Sequence, residues 1–255
     1  MNIEEHFNQY FRVQQCRSEQ EIRQCQRIRY LSYCVDHHFI DMDQFPDELE
    51  RDQYDSHSAH SAIVHQASGE YIATVRLVLW HGKLGQLSFP VEKLEILRRM
   101  KRDKKWRSVP QKKIGEISRF SICKNFRRRV EDYENLHGIS DTTFRLPTSD
   151  RRCAADITLG LFKAIVCDSY DHELTHWYAI MEPSLIRLLG RFGIQFCEVG
   201  APVDYSGIRQ PCIAYIPAVL RGIHQNNLEL WEFITNNGEI YGTEYLFEQE
   251  PEEYF

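Results

Sequence analysis

The chain has 255 residues, 42% hydrophobic and 27% charged, with 14 Phe, 13 Tyr, 4 Trp and a formal net charge of −6. That is enough apolar material for one substantial core, short for two full domains, and it excludes extended disorder over most of the length. The charge is uneven: residues 98–129 carry 14 Lys and Arg against Asp103 and Glu116, a segment net of +12, which leaves −18 for the remainder.

Taken in chain order, the first thirty residues are charged throughout and lack an apolar h-region, so neither a secretory leader nor a membrane span is expected. Ser18 followed by Glu21 reads as a capping box. Ile22, Cys25, Ile28, Leu31, Val35 and Phe39 then recur at helical spacing, predicting an amphipathic helix over about 19–36. An acidic, turn-rich loop from Asp41 to Ser58 leads into two β-like runs, Ser61 to His65 and Tyr71 to Leu79, joined by Ala67-Ser68-Gly69-Glu70 as a hairpin. A helical basic stretch over about 91–102 precedes a strand from Lys113 to Cys123. The segment from Arg127 to Arg152, with Gly138 and Pro147, reads as an irregular insertion.

From Asp156 the pattern is regular again. A helix through Tyr170 is followed by a strand at Trp177 to Met181, a helix from Pro183 to Arg191, and strands near 195–199 and 212–216. Pro183 suits a first helical turn and Gly193 a helix C-terminus. The acidic end from Glu239 to Phe255 is expected to be a loosely held tail, so one domain over 1–238 and a tail over 239–255 is the expected division. Alternation of helix and strand predicts an α/β fold around a central mixed β-sheet flanked by helices.

The eight cysteines (16, 25, 34, 123, 153, 167, 197 and 212) show no paired C-x-x-C and read as reduced thiols in a cytoplasm. Cys34, His37 and His38 lack a second ligand pair at a recognised spacing, so no metal is expected. Cys123 or Cys197 with a histidine gives no sequence reason for a covalent acyl-cysteine step. The basic segment points to an anionic partner: nucleic acid, a phosphorylated cofactor or an acidic protein. With no recognisable reader motif and an acidic chain overall, nucleic acid is set aside.

Four short motifs stand in one order: Arg29-Tyr30, Glu50-x-Asp52-x-x-Asp55, Thr74-Val75-Arg76-Leu77 and Glu116-Ile117-Ser118-Arg119-Phe120. Together they resemble the acyl-homoserine lactone synthases, whose signature combines an Arg with a downstream aromatic, a D-x-x-D pair, an R-L strand and an E-x-x-R-F strand. Met181-Glu182-Pro183, Arg187-Leu188-Leu189, Gly193-Ile194 and Gly207-x-Arg209-x-Pro211 resemble the long-chain N-acyl amino acid synthases, and within them the acyltransferases associated with PEP-CTERM/exosortase systems. The resemblance runs over about residues 10–235 and implies a GNAT-like (acyl-CoA N-acyltransferase) three-layer fold. It implies an acyl chain delivered on phosphopantetheine by acyl carrier protein as donor substrate, no bound cofactor, a small-molecule amine acceptor and an amide product. One departure is that Phe39 stands where the autoinducer synthases carry a Trp, with Tyr33 filling another aromatic position.

Amide formation needs a neutral amine, a polarised thioester carbonyl and both held in place. Glu116 is the expected base, acting through a relaying water. A regular strand would send Glu116 and Arg119 to opposite faces, and a β-bulge between them would change that. Phe120 to Cys123 is the stretch expected to offer backbone N–H groups to the oxyanion. Arg76 and Arg119 either bind the acceptor carboxylate or brace Asp52, Asp55 and Glu116. Asp52 and Asp55 are spaced to share a helical turn, where they would bind the acceptor ammonium or tie Arg29 to the core. Arg29, Tyr33 and Phe39 complete the expected substrate-binding set. Where coenzyme A-dependent acetyltransferases cradle a pyrophosphate with Q/R-x-x-G-x-G/A, this chain reads Phe126-Arg127-Arg128-Arg129-Val130, without glycine. That favours carrier protein as donor, docked on Arg127, Arg128 and Arg129. An acyl-homoserine lactone synthase using S-adenosylmethionine and a non-catalytic acyl-carrier or lipid-binding module are the alternatives.

Overall fold

The computed structural model describes residues 2–82, 87–95, 109–124, 126, 148–205 and 207–248. They group into two compact units interleaved along the chain. The first comprises Met1–Gln53, Ala59–Arg76 and Arg119–Ile165, the second Tyr54–Ser58, Leu77–Ser118 and Val166–Phe255.

In the first unit, helix α1 (Ile3–Tyr10) is started by Asn2, whose side chain accepts from the Glu5 N–H at 2.7 Å while Glu5 returns to the Asn2 N–H. This second capping box lies beside the one predicted at Ser18, where Glu21 accepts the Ser18 N–H at 2.9 Å. Strand β1 (Phe11–Cys16) pairs antiparallel with β2 (Ser58–His65), from Phe11↔His65 to Cys16↔His60. β2 and β3 (Tyr71–Leu79) form the predicted hairpin, with the His65 N–H donating to the Glu70 carbonyl at 2.9 Å. β4 (Ile114–Ile122) follows β3 in the strand order β1-β2-β3-β4. Helix α2 (Glu19–Tyr30) stops earlier than the spacing predicts, and Leu31–Asp36 continues as a π-helix, the His37 N–H reaching back five residues to Ser32. Helix α3 (Thr148–Asp171) packs against α1: a Cβ at Gly160 would run into the Phe7 ring, so only glycine permits this approach.

In the second unit, β4 runs parallel to β5 (His176–Met181), from Ile114↔His176 to Ile117↔Ala179. β5 is antiparallel to β8 (Ile208–Tyr215), which also pairs β6 (Cys197–Glu198) and β7 (Val203–Asp204). The sheet is therefore mixed. Helix α4 (Pro183–Arg191) has Pro at its first turn, and Gly193 follows at φ 80°. Helices α5 (Ile216–Asn226) and α6 (Leu228–Thr235) pack Leu220, Ile223, Leu230 and Phe233 inward. Strand β1 and helices α1, α5 and α6 were not anticipated from the sequence.

The end expected to be a loose tail is in fact held through Leu246. Tyr241 and Leu246 are buried, helix α7 spans Thr243–Glu248, and Arg221 donates to the Leu246 carbonyl at 2.6 Å. Two apolar anchors in an otherwise acidic stretch are the reason. The basic stretch over 91–102 begins as a 3-10 turn, Pro90–Lys93, and residues 96–102 lie outside the described residues. Among the described residues no helix is long and apolar enough to cross a membrane.

Candidate active site

The capped helix α2 delivers Arg29 into the first unit with no solvent exposure. A buried guanidinium must be matched by an anion, since an unpaired charge costs several kcal/mol. The match is Glu50, itself 1% exposed, which accepts from Arg29 Nε. The Glu50 N–H donates to the Gln26 carbonyl at 3.1 Å and docks the segment onto α2. Arg119 closes on the same carboxylate, Nη2 to Oε1 at 2.8 Å and Nε to both oxygens at 3.2 Å. Its Nη2 also reaches Asp52 Oδ2 at 3.0 Å. Arg76, from β3, grips Asp52 with two donors, at 2.6 and 3.1 Å. The result is one continuous chain of charge-assisted bonds, Arg29–Glu50–Arg119–Asp52–Arg76.

Burial alone would raise the Glu50 carboxyl. The Arg119 and Arg29 guanidiniums, by charge and by hydrogen bond, outweigh it and hold Glu50 down at about 2. Burial works against the Arg119 cation as well, and Glu50 overcomes it, so Arg119 is pushed above its usual range. The Tyr33 ring lies 5.2 Å from the Arg119 guanidinium carbon, a cation–π contact. Phe39 stands 6.5 Å from Tyr33 and stacks on His37 at 5.1 Å. Tyr33 from the π-helix, with Phe39 and His37 just beyond it, therefore forms an aromatic wall beside the network.

Arg119 has φ 54° in the middle of β4. That left-handed residue departs from extended strand geometry, as a residue in a β-bulge does. The predicted disturbance of the strand is present. The oxyanion stretch needs correcting at its end: the Cys123 N–H is committed to the Ile72 carbonyl at 2.8 Å and so cannot serve. Phe120 is half-buried on the strand after Arg119.

In the second unit Glu116 is buried, and its Oε2 accepts the Val91 N–H at 2.8 Å. Asp55 begins a 3-10 turn, Asp55–His57, whereas Asp52 lies before it, so the two aspartates do not share a helical turn. Arg29 is tied by Glu50, the carboxylate buried beside α2. Arg76 and Arg119 both take the bracing role, on Asp52. Glu182 and Arg209, from the downstream motifs, form a second buried pair at 3.0 Å. Arg127, Arg128 and Arg129 lie outside the described residues.

Glu50 is the participant to which the sequence assigned no role. Its signal was the fixed Glu50-x-Asp52 spacing, but its partners stand 21 and 69 residues away. Among the described residues no group of His, Cys, Asp and Glu is arranged to hold a metal ion.

Residues 28–133, which contain Glu116 and every member of the Arg29–Glu50–Arg119–Asp52–Arg76 chain, match the model of the acetyltransferase (GNAT) domain. No curated protein sequence matches the chain. Among solved structures, the fold is similar to FeeM, an N-acyl amino acid synthase from uncultured soil microbes, with TM-score 0.55 and 14% identity over 86% of this chain and 96% of that one. It is similar to BjaI, a CoA-dependent acyl-homoserine lactone synthase, with TM-score 0.55 and 16% identity over 91% of each chain. It is also similar to the acyl-homoserine lactone synthase LasI, with TM-score 0.53 and 14% identity over 80% of this chain and 88% of that one. The chain thus has a GNAT-like fold.

Proposed function

We propose that the protein is an N-acyltransferase that moves a medium or long acyl chain from acyl carrier protein to the amine of an amino acid or similar small molecule. The observation that carries the reading is the acetyltransferase match over 28–133, the stretch that holds Glu116 and every member of the Arg29–Arg76 network. The likeness to FeeM supports an amino acid as acceptor. The run Arg127-Arg128-Arg129, without a pyrophosphate-cradling glycine, supports an acidic carrier protein over coenzyme A, and the free cysteines, without a paired C-x-x-C, support a place in a cytoplasm. The motif resemblance supports a PEP-CTERM/exosortase setting.

Glu116, through a water, takes the proton from the acceptor ammonium, the neutral amine attacks the thioester carbonyl, and the tetrahedral intermediate collapses to the amide with release of the phosphopantetheine thiol. Glu50 is unsuited to this task. A carboxylate held at about 2 is a weak base near neutrality. Asp52, Arg76 and Arg119 order the acceptor side, with Tyr33 and Phe39 as its apolar wall. Residues 1–238 act as one catalytic domain in this scheme, with 239–255 as its acidic C-terminal extension.

A second reading is favoured by the likeness to BjaI and LasI: an acyl-homoserine lactone synthase that acylates S-adenosylmethionine and closes a lactone. Incubating the purified protein with acyl carrier protein thioesters, acyl-coenzyme A and a pool of amines that includes S-adenosylmethionine, followed by mass spectrometry, separates the two. New N-acyl amino acids from the carrier-bound donor are expected. A homoserine lactone product would establish the second reading. Tight carrier-protein binding with no thioester consumed would refute both and leave a non-catalytic acyl-carrier module.

A further inference from the structure

The 3-10 turn Pro90–Lys93, which lies between β3 and β4 along the chain, accounts for its backbone donors in an unusual way. At residues 88–92 the chain reads Ser-Phe-Pro-Val-Glu and enters the 3-10 turn Pro90–Lys93. Every such turn begins with N–H groups that have no partner within it. Phe89, at the cap position, has no side-chain oxygen to offer them. Glu92 supplies it: its Oε2 accepts the Ser88 N–H at 3.0 Å and the Phe89 N–H at 3.4 Å. Pro90 has no N–H. The Val91 N–H is the next donor, and it goes to Glu116 Oε2, 25 residues along the chain.

Glu92 is itself buried, at 5% exposure, where a carboxylate is costly unless hydrogen-bonded. The turn it closes is fixed from the other side by apolar packing. Phe89 and Val91 sit in a buried cluster with Tyr54, Val78, Tyr178 and Ile213, the Phe89 ring edge-on to Tyr178 at 5.7 Å. His57 Nε2 lies 3.1 Å from the Ser88 carbonyl. A carboxylate buried at this cost, whose bonds determine where one backbone donor points, acts on whatever that donor holds.

We propose that Glu92 is a positioning residue: by clamping the Ser88 and Phe89 amides it aims the Val91 N–H at Glu116 and fixes the orientation of that carboxylate. The inference rests on Glu116 being the base. Correct orientation of a base within a near-attack geometry is worth about one to two orders of magnitude in rate. The Val91 donor also favours the charged carboxylate, so its loss makes Glu116 easier to protonate.

The test compares Glu92→Ala, Glu92→Gln and Glu116→Gln in the full chain, measuring kcat, KM for the acyl thioester, and the pH dependence of kcat/KM. Glu92→Ala is expected to lower kcat about tenfold to a hundredfold, with KM unchanged within about twofold and the acid limb of the profile displaced to higher pH. Glu92→Gln keeps an accepting oxygen and is expected to recover most of kcat and part of the profile. If Glu92→Ala does not fold, Glu92→Gln decides, because it must still show a reduced kcat and a displaced acid limb. Folded variants with the parent kcat and profile overturn the inference while Glu116→Gln remains inactive. Full activity in Glu116→Gln overturns the base assignment itself and the inference with it.

Discussion

Glu50 in the first unit and Glu116 in the second are both buried on the strength of specific donors, and the donors differ in kind. Glu50 is held by two guanidiniums, Arg29 and Arg119, so its charge is part of the architecture. Glu116 accepts from an uncharged backbone donor, the Val91 N–H. A formal positive charge within hydrogen-bond reach fixes a carboxylate as an anion over the whole physiological range, whereas the Val91 amide orients Glu116 without adding a formal charge. Two acids that look alike in a sequence are thereby held in different ways, and the proposed scheme gives bracing to Glu50 and the proton to Glu116.

The sharpest way to break this comparison is to neutralise each in turn. Glu116→Gln is expected to lower amide formation by about 10²–10⁴-fold with a small change in stability, read by product mass spectrometry beside a denaturant titration. Glu50→Gln should do the reverse to stability, costing about 3–5 kcal/mol because Arg29 and Arg119 are left buried with one partner fewer. A Glu50→Gln protein as stable as the parent would sink the bracing role.

Acidification separates the units by a further, slightly smaller effect. Burial holds His176, in the second unit, down at about 4, from an ordinary value near 6.5. It binds its proton more readily when unfolded, so its contribution to stability is complete above pH 6.5 and is lost as the pH falls toward 4. Glu50 is depressed from about 4.5 to about 2, so its contribution is complete above pH 4.5 and is lost only on the way to pH 2. Each amounts to about 3 kcal/mol at 1.36 kcal/mol per pH unit. Hydrogen exchange at stepped pH should therefore show the amides of β5 losing protection before those of α2; loss in the opposite order would contradict the assignment. The smallest effect is expected for Asp52→Asn, where the carboxylate is a quarter exposed and both oxygens are in use. A loss of about 1–3 kcal/mol is anticipated, from one weakened bidentate pair.

Local signals in the sequence were read well where the physics is local. Ser18 with Glu21, the hairpin about Gly69 and the helix opened by Pro183 each rest on contacts within about five residues, and each forms as expected. The Asn2–Glu5 box has the same form as the Ser18 box but starts a helix of only eight residues, too short to show a periodic face. Helices α5 and α6 follow one another with only Asn227 between them, and each is too short, at 11 and 8 residues, to show a long periodic face. At the site, the motifs named Arg29, Asp52, Arg76, Glu116 and Arg119, but not who holds whom. Glu50 and Glu92 act through partners fixed by tertiary packing, one across 69 residues and one by steering a donor toward residue 116.

The π-helix at Leu31–Asp36 has a consequence for length variation in this protein. Closure at i→i+5 accommodates one residue more per turn than an α-helix does. Removing Leu31 or Ser32 would return the segment to ordinary closure, keep the chain beyond Asp36 near its present face and shift the residues inside the turn, Tyr33 among them, to new positions around the axis. Arg29 lies before that point and would keep Glu50, while the Tyr33 ring would leave the Arg119 guanidinium. A single-codon deletion would thus displace the Tyr33 ring and leave the ionic scaffold standing, a change in the lining of the network that needs no rebuilding of the core.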